Sequence, residues 1–304
     1  MSAEVDPGRS ETCSVVSRRL DEPLIGTAST VRRWVLVEQP GAWGPESLPS
    51  SALPREVTER LLVRTRSAGA RLLLLRSPSR AAPPRRQCFI AGSGPGRPWM
   101  RRFTVENPAD LLAVDFDAAF AAEGAGLGDV HEAPLYLVCT HGRHDPCCAD
   151  LGRPLVRSLM GLEGLWESSH VGGDRFAGNL LCFPHGLYYG RVTPEDGPQI
   201  VDAYRRGEVD LPHYRGRSCF DFVTQAAEWF LRDALALVAV DAVAPTGRTS
   251  LGRGRHLVTF EVAGRRGVEV RLEVLDVEPA RTISCHGNGP SRPRAYALLA
   301  IDPA

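Results

Sequence analysis

The sequence predicts an α/β protein made of two units with the same order of elements, followed by a helix and a small antiparallel sheet. The chain has 304 residues, 43% hydrophobic and 24% charged, a composition typical of a globular protein long enough for two domains. Strand-like apolar segments alternate with helical patterns in the order βαβ and then ββα, and this order occurs twice. After Asp210 the periodicity changes, which indicates a separate C-terminal extension.

The first unit is predicted over residues 31–128, after an N-terminal lead of residues 1–30. Its elements are, in order, a strand over Trp34–Glu38, a helix over Pro54–Ser67, strands over Arg71–Arg76, Gln87–Ala91 and Trp99–Val105, and a helix that opens at Asn107-Pro108. The glycine-rich segment at 92–98 lies between two strands rather than before a helix, so we predict a hairpin loop there.

The second unit, predicted over residues 129–212, repeats this order. Its elements are a strand over Leu135–Cys139, a helix near Ala149–Met160, strands over Leu165–His170, Asn179–Phe183 and Leu187–Val192, and a helix that opens at Thr193-Pro194. The PHG segment at 184–186 is typical of a tight turn. A βαβ unit joined to a ββα unit is the thioredoxin-like order, with parallel and antiparallel strands in one sheet covered by helices. We therefore predict tandem thioredoxin-like domains.

The extension is predicted over residues 213–304. Apolar residues recur at three- to four-residue steps from Phe220 to Val238, which indicates an amphipathic helix packed on a core. Alternating segments over His256–Val262, Val268–Leu275 and Tyr296–Ile301 predict a small antiparallel sheet.

The formal net charge is zero, from 36 basic and 36 acidic residues, so no net field attracts nucleic acid or an anionic membrane. The apolar runs at 72–75 and 234–240 are far shorter than the roughly 20 residues of a membrane span. No signal-peptide pattern is seen at the start. All basic residues are Arg, which suggests a GC-rich bacterial genome. We expect a cytoplasmic protein with no nucleic-acid or membrane partner.

The segment YLVCTHGRHDPCCADLG holds the first half of a candidate metal site. Cys139 ends a predicted strand, and Cys148 follows nine residues later, just before a helix. A helix N-terminus stabilises a thiolate through its exposed N–H groups and dipole. Eight cysteines in a reducing cytoplasm indicate metal binding or catalysis rather than a disulfide scaffold.

The segment SSHVGGDRFAGN holds the second half. His170 ends another predicted strand, and Asp174 follows four residues later across two glycines. Because these strand tips are neighbours in a thioredoxin-like fold, we expect Cys139, Cys148 and His170 to converge as ligands. A buried thiol and a core histidine are the plainer interpretations of each residue taken alone.

The motifs CTHGRHDPCC, SHVGGDRFAGN and PHGLYYGRVTPEDGPQIV resemble the sucrase/ferredoxin-like family, which contains thioredoxin-like ferredoxins. The resemblance covers residues 134–207, and more loosely CSVVSRRLDEPLIGTAS at 13–29. It implies a [2Fe–2S] cluster whose two cysteines are Cys139 and Cys148. Eukaryotic members supply two histidines from an H-x-G-G-H pattern, of which the first matches His170 and the second position is Asp174 here.

The fourth ligand stays open, because a carboxylate is harder than the imidazole or thiolate that iron–sulfur clusters prefer. The candidates are Asp174, Cys147, His144, Cys182 and water. Vicinal side chains usually diverge, so we predict that Cys147 is a spare thiol beside Cys148. Arg143, Arg175 and Asn179 are expected to position the loop or donate hydrogen bonds near the site.

These observations favour an electron carrier with a mixed Cys and His [2Fe–2S] cluster over a stand-alone catalyst. A redox partner protein is expected, and a homodimer stays open. Two alternatives remain, a structural zinc site at Cys139, Cys148, His170 and Asp174, and a thiol enzyme that uses Cys148. The first unit is predicted to be a cofactor-free duplicate that shields the second, because Glu38 stands where Cys139 stands in the second unit.

Overall fold

The computed structural model describes residues 11–79, 84–262, 265–287 and 289–302. The first ten residues of the predicted N-terminal lead lie outside the described residues. The described strands form one ten-stranded mixed sheet and one four-stranded antiparallel sheet. Among the described helices, none is long and apolar enough to cross a membrane.

The first unit has the predicted βαβ and ββα order. Its elements are β1 (Arg33–Glu38), α2 (Arg55–Ser67), β2 (Ala70–Arg76), β3 (Arg86–Gly92), β4 (Trp99–Val105), a 3-10 helix over Pro108–Ala113 and α3 (Phe116–Ala121). Strand β1 pairs in parallel with β2 and antiparallel with β3, which pairs antiparallel with β4. The spatial order is therefore β2-β1-β3-β4.

The second unit repeats that topology. Its elements are β6 (Leu135–Cys139), α4 (Pro146–Ser158), β7 (Leu165–Ser168), β8 (Leu180–Phe183), β9 (Leu187–Tyr189) and α5 (Asp196–Arg205). Strand β6 pairs in parallel with β7 and antiparallel with β8, which pairs antiparallel with β9. The resulting order, β7-β6-β8-β9, matches the first unit strand for strand. The predicted tandem thioredoxin-like fold class is thus confirmed.

The two units share one continuous sheet, because β2 and β7 pair antiparallel through Leu75 with Ser168 and Arg76 with Glu167. Short edge strands β5 (Asp129–Val130) and β10 (Tyr214–Arg217) extend the sheet at its two ends. The predicted domain boundaries, at residues 30/31, 128/129 and 212/213, stay predictions.

The two faces of the second unit's sheet carry different side chains, because successive residues of a strand point to opposite sides. Leu135, Leu137 and Cys139 contribute to an apolar core that spans both units. Tyr136 and Cys182 belong to a separate core on the other face, packed against α4 and α5. This alternation decides which cysteines can meet.

The N-terminal helix α1 (Cys13–Arg19) was not predicted from the sequence. In the extension, α6 (Phe222–Leu235) lies on a sheet whose strands are β11 (Val243–Gly252), β12 (Arg255–Val262), β13 (Arg265–Asp276) and β14 (Arg294–Asp302). Val223, Ala227 and Leu231 of α6 pack against the sheet, at the spacing expected for one helix face. The predicted helix and antiparallel sheet are therefore present, with β11 as an additional strand.

His213 holds the junction between α5 and β10 through two carboxylates. Its Nδ1 lies 2.8 Å from Asp210 Oδ1, and its Nε2 lies 3.2 Å from Asp196 Oδ2. The hydrogen bond to Asp210 and the charge of both carboxylates outweigh partial burial and raise the pKa of His213 above its ordinary 6.5. The imidazolium therefore stabilises the folded state.

We expect a His213→Gln variant to unfold at a lower temperature than wild type at pH 5.5 and to approach wild type at pH 9. A raised folded-state pKa gives stability that is fully present below the unfolded pKa near 6.5 and is lost as pH rises through the folded pKa. A partly exposed ion pair contributes up to about 1 kcal/mol, which is roughly 2–4 °C in Tm for a chain of this size class. Thermal melts of both proteins across this range measure the difference, and a difference independent of pH would contradict it.

Candidate metal centre

Cys139 lies at the C-terminal end of β6, on the face that carries Leu135 and Leu137. Its side chain is 1% exposed. The backbone N–H of Cys139 donates to the carbonyl oxygen of Asn179 at 3.1 Å, which fixes the strand end against β8. Helix α4 packs closely against the end of β6 because it carries Gly152 at the contact. A Cβ on Gly152 would lie 2.1 Å from the Cys139 carbonyl oxygen.

Cys148 lies in the first turn of α4. The helix begins at Pro146, three residues before the predicted start at Ala149, because Asp145 caps it and accepts a hydrogen bond from the Cys147 N–H at 2.9 Å. Cys148 is buried, and its Sγ donates to Asp174 Oδ1 at 3.3 Å. The Asp145 cap therefore sets the first turn of α4, from which the Cys148 thiol reaches Asp174 in the loop after β7.

His170 and Asp174 lie in the loop after β7, which ends at Ser168 rather than at His170 as predicted. Gly172 and Gly173 have φ angles of +102° and +82°, a region that favours glycine, and they turn the chain back toward the strand tips. The Nδ1 of His170 lies 2.9 Å from Asp174 Oδ1, close but out of line for a well-aligned hydrogen bond. Asp174 is itself buried.

The structure brings all four predicted site residues together, and we call Cys139, Cys148, His170 and Asp174 the first donor group. The sulfur atoms of Cys139 and Cys148 and a ring nitrogen of His170 lie within 4.8 Å of one another. Asp174 touches both Cys148 and His170. Three separate chain segments therefore present their donor atoms to one point.

His144 also reaches this point. Its ring stacks on that of His170 with centroids 3.8 Å apart, and its Nε2 lies 3.8 Å from Asp174 Oδ2. Ring nitrogens of His144 and His170 and a carboxylate oxygen of Asp174 form a second set within 4.8 Å, overlapping the first at His170. Cys182 faces the opposite core and does not join either set.

Cys147 points away from the first donor group. Its Sγ lies 3.7 Å from that of Cys13 and 3.6 Å from that of Cys285. A hydrogen bond from Cys13, reinforced by Ser14, outweighs burial and lowers the pKa of Cys147 to about 6. The vicinal thiols diverge, and no local pattern indicated that Cys147 would meet two remote cysteines.

Charge in the first donor group is distributed unevenly. The neighbouring Cys148 thiol, with help from His170, outweighs burial and holds the pKa of Cys139 well below its usual range, while Cys139, burial and Asp174 raise the pKa of Cys148. Burial opposes charging of His170, but Asp174 and Cys139 raise its pKa to about 9. Burial is likewise outweighed at Asp174, whose pKa falls to about 2 beside His170. Of the two thiols, Cys139 therefore loses its proton more readily than Cys148.

The first unit covers one side of the first donor group through the loop after β1. The Nε2 of His141 lies 2.8 Å from the carbonyl oxygen of Gly44, and its Nδ1 accepts from the backbone N–H of His170 at 3.2 Å. Nδ1 of His144 lies 3.3 Å from the carbonyl oxygen of Pro45. The position of His170 therefore depends on His141, which the sequence did not single out.

Arg215 holds the loop that contains Gly172 and Gly173, and the sequence did not single it out either. Its buried guanidinium donates to the Gly172 carbonyl at 3.0 Å, to Asn179 Oδ1 at 2.7 Å and to the Thr27 carbonyl at 2.6 Å. A Cβ on Gly173 would lie 2.4 Å from its Nη2. Arg215 comes from β10, beyond the sequence motifs, so only the fold reveals it.

The other predicted supporting residues have mixed roles. Asn179 donates to the Gly173 carbonyl at 2.9 Å and so supports the loop. Arg175 pairs with Glu22 at 2.7 Å. Arg143 lines a cavity of about 370 Å³ beside the site, together with Trp43 and Arg153.

The fold and the site define a tandem thioredoxin-like protein with a buried thiol and imidazole site at the strand tips of its second unit. The chain belongs to the sucrase/ferredoxin-like family, whose model matches residues 24–216.

The curated relatives include two fungal proteins named altered inheritance of mitochondria protein 32. The one from Meyerozyma guilliermondii is 36% identical over 95 residues, covering 27% of this chain and 34% of the relative. The one from Eremothecium gossypii is 32% identical over 163 residues, covering 43% of this chain and 50% of the relative. The chain thus spans from about a third to half the length of these relatives.

A solved structure is also similar, a cysteine-to-serine variant of the thioredoxin-like [2Fe–2S] ferredoxin from Aquifex aeolicus. It is 18% identical, with a TM-score of 0.24, and the match covers 27% of this chain and 97% of that chain.

Proposed function

We propose that this chain is an iron–sulfur redox protein that binds a [2Fe–2S] cluster and exchanges single electrons with a partner protein. Cys139, Cys148 and His170 would hold the cluster, with Asp174 or His144 as the fourth ligand. One observation carries the proposal: buried thiols and an imidazole from three separate segments lie within 4.8 Å of one another.

The donor set fits such a cluster. Two thiols lie on one side, and imidazole and carboxylate donors lie on the other, with His170 shared between the two sets. Mixed cysteine and histidine ligation is an established arrangement for [2Fe–2S] centres. When bound, the cluster supplies a centre that accepts and releases one electron.

The chain's own residues would exclude water from the thiol side and leave the imidazole side accessible. Cys139 and Cys148 are each 1% exposed, whereas the side chains of His170 and His144 are 22% and 35% exposed. Electron transfer falls off with distance, so a partner protein would dock at the His144 and His170 edge. Arg71 donates to the His170 carbonyl at 2.8 Å and holds that edge in place.

A structural zinc site with the same residues is the second candidate, because tetrahedral zinc accepts thiolate, imidazole and carboxylate ligands. A thiol enzyme based on Cys148 has less support. That thiol is buried, and its neighbour Cys139 and burial raise its pKa, whereas a reactive cysteine needs an accessible thiolate.

Protein purified without oxygen tests the proposal directly. A [2Fe–2S] protein is red-brown and contains equal amounts of iron and acid-labile sulfide, two of each per chain. A colourless protein with zinc but without labile sulfide at the first donor group would contradict the proposal and support the zinc alternative.

Replacing Asp174 with His should reveal the fourth ligand. If Asp174 binds iron, wild type has one coordinated imidazole and Asp174→His has two, and the reduction potential shifts because imidazole carries no negative charge. Electron paramagnetic resonance with nitrogen hyperfine detection on the reduced protein counts these nitrogens. Two coordinated nitrogens already in wild type, reduced to one by His144→Ala, would assign the fourth position to His144 instead.

A further inference from the structure

Behind the first donor group lies a second cluster of thiols that the proposed function does not use. Its members are Cys13 of α1, Asp145 and Cys147 at the start of α4, and Cys285 in the loop between β13 and β14, and we call them the second donor group. The four donor atoms lie within 4.8 Å of one another. Cys13 and Cys285 are 272 positions apart in the chain.

The distances within this group match one tetrahedral metal ion. The sulfur of Cys147 lies 3.7 Å from that of Cys13 and 3.6 Å from that of Cys285. Two thiolates on a tetrahedral zinc ion, with zinc–sulfur bonds of about 2.3 Å, are about 3.8 Å apart. A disulfide would need about 2.05 Å.

Asp145 offers a fourth donor atom beside the three sulfur atoms. Its Oδ2 lies 3.7 Å from the Cys13 sulfur and accepts from the backbone N–H of Cys285 at 2.6 Å, while its Oδ1 caps α4. The same Oδ2 also accepts from Ser284 Oγ at 3.1 Å, so this oxygen faces the sulfur atoms and holds the loop that carries Cys285.

The sulfur atoms receive the hydrogen bonds expected around metal-bound thiolates. The backbone N–H of Cys13 donates to the Cys285 sulfur at 3.3 Å, and Ser14 Oγ donates to the Cys147 sulfur at 3.2 Å. Such surrounding donors orient metal ligands and stabilise their charge. The N-terminus of α4 adds its favourable dipole.

We propose that Cys13, Cys147, Cys285 and Asp145 bind one structural zinc ion, separate from the first donor group. The sulfur–sulfur distances of 3.7 and 3.6 Å are those expected between ligands of one ion. Four protein donors, of which Cys13, Asp145 and Cys147 are buried, would fill all positions of a tetrahedral ion and leave none for substrate, as in structural zinc sites. Binding releases the thiol protons to solvent as the thiolates form.

The ion would tie α1 and the loop after β13 to the first turn of α4. Cys148 in that turn belongs to the first donor group, so adjacent cysteines would serve two different metals. The zinc site would thereby add a second anchor to the turn that presents Cys148, which the Asp145 cap also holds, so iron can still bind when zinc is absent.

Zinc and iron measured in the same preparations separate the two sites. Wild type should contain one zinc per chain, and Cys285→Ser should lose it while retaining iron. Cys148→Ser should show the reverse, with zinc retained and iron lost. Zinc that disappears with Cys148→Ser and persists in Cys285→Ser would overturn the proposal, because it would then occupy the first donor group.

X-ray absorption at the zinc edge of the wild-type protein gives a test that does not depend on the folding of a variant. Three sulfur neighbours at about 2.3 Å and one oxygen at about 2.0 Å are expected. A zinc-free wild type, a disulfide among Cys13, Cys147 and Cys285 found by mass spectrometry, or a mixed sulfur and imidazole shell would each overturn the zinc site. If the proposed iron–sulfur cluster is absent but the zinc proposal is correct, wild type still contains zinc and Cys285→Ser still loses it.

Discussion

Cys148→Ser and Cys139→Ser are each expected to lose most of the bound iron, whereas Cys147→Ser is expected to retain it. A hydroxyl is a poor replacement for an iron-bound thiolate, and both thiols face the first donor group. The sulfur of Cys147 instead lies 3.7 Å from that of Cys13 and faces the second donor group. Iron and acid-labile sulfide per chain, with the visible absorption of each protein, measure the contrast.

Cys182→Ser is the matched control for this series. Cys182 is as buried as Cys139 and lies on the adjacent strand, but its side chain faces the opposite core. The folded fraction of Cys182→Ser should retain iron even if the substitution lowers the free energy of unfolding. Retention of iron by Cys148→Ser together with its loss in Cys147→Ser would mean that the vicinal thiols have been assigned to the wrong sites.

The element order could be predicted because it depends on local patterns. The convergence of Cys139, Cys148 and His170 was expected from that order, whereas Asp174 was indicated by the resemblance to the sucrase/ferredoxin-like family. Strand periodicity predicted that Cys139 ends a strand. The order of the predicted strands and helices indicated a repeated topology, which the strand order of the sheet confirms. The two glycines between His170 and Asp174 indicated a close backbone approach or positive φ, and both have positive φ.

The supporting residues could not be predicted, because their partners are remote in the sequence. Gly44 contacts His141 across 97 positions, and Cys13 contacts Cys147 across 134. Nothing in the local pattern around Cys13 or Cys285 distinguishes a metal ligand from a buried thiol. The earlier start of α4 depends on the Asp145 cap, whose carboxylate also binds the loop that carries Cys285.

Arg215 lies outside both donor groups, and its loss should nevertheless affect the first donor group. Its guanidinium contacts the Gly172 carbonyl, Asn179 and Thr27, and burial lowers its pKa to about 9. Burial of this charged group is unfavourable in desolvation free energy. Its hydrogen bonds hold the loop that carries His170 and Asp174.

We expect Arg215→Met to destabilise the protein by about 3–5 kcal/mol, because each buried acceptor left unpaired costs about 1–3 kcal/mol. At roughly 2–4 °C in Tm for each kcal/mol, the melting temperature should fall by about 10 °C. Arg215→Lys keeps the charge but lacks the planar fork, so its effect should be intermediate. Differential scanning calorimetry measures the stability of all three proteins.

The rate at which a chelator removes iron distinguishes a local role of Arg215 from a general loss of stability. Below the melting transition, Arg215→Met should release iron faster than wild type, because the loop that positions His170 loses its support. The control is Arg232→Met, which removes an equally buried guanidinium whose hydrogen bonds are made to Glu228 of α6 and to carbonyl oxygens just after that helix. If the two variants release iron at the same rate, Arg215 stabilises the fold without positioning the site.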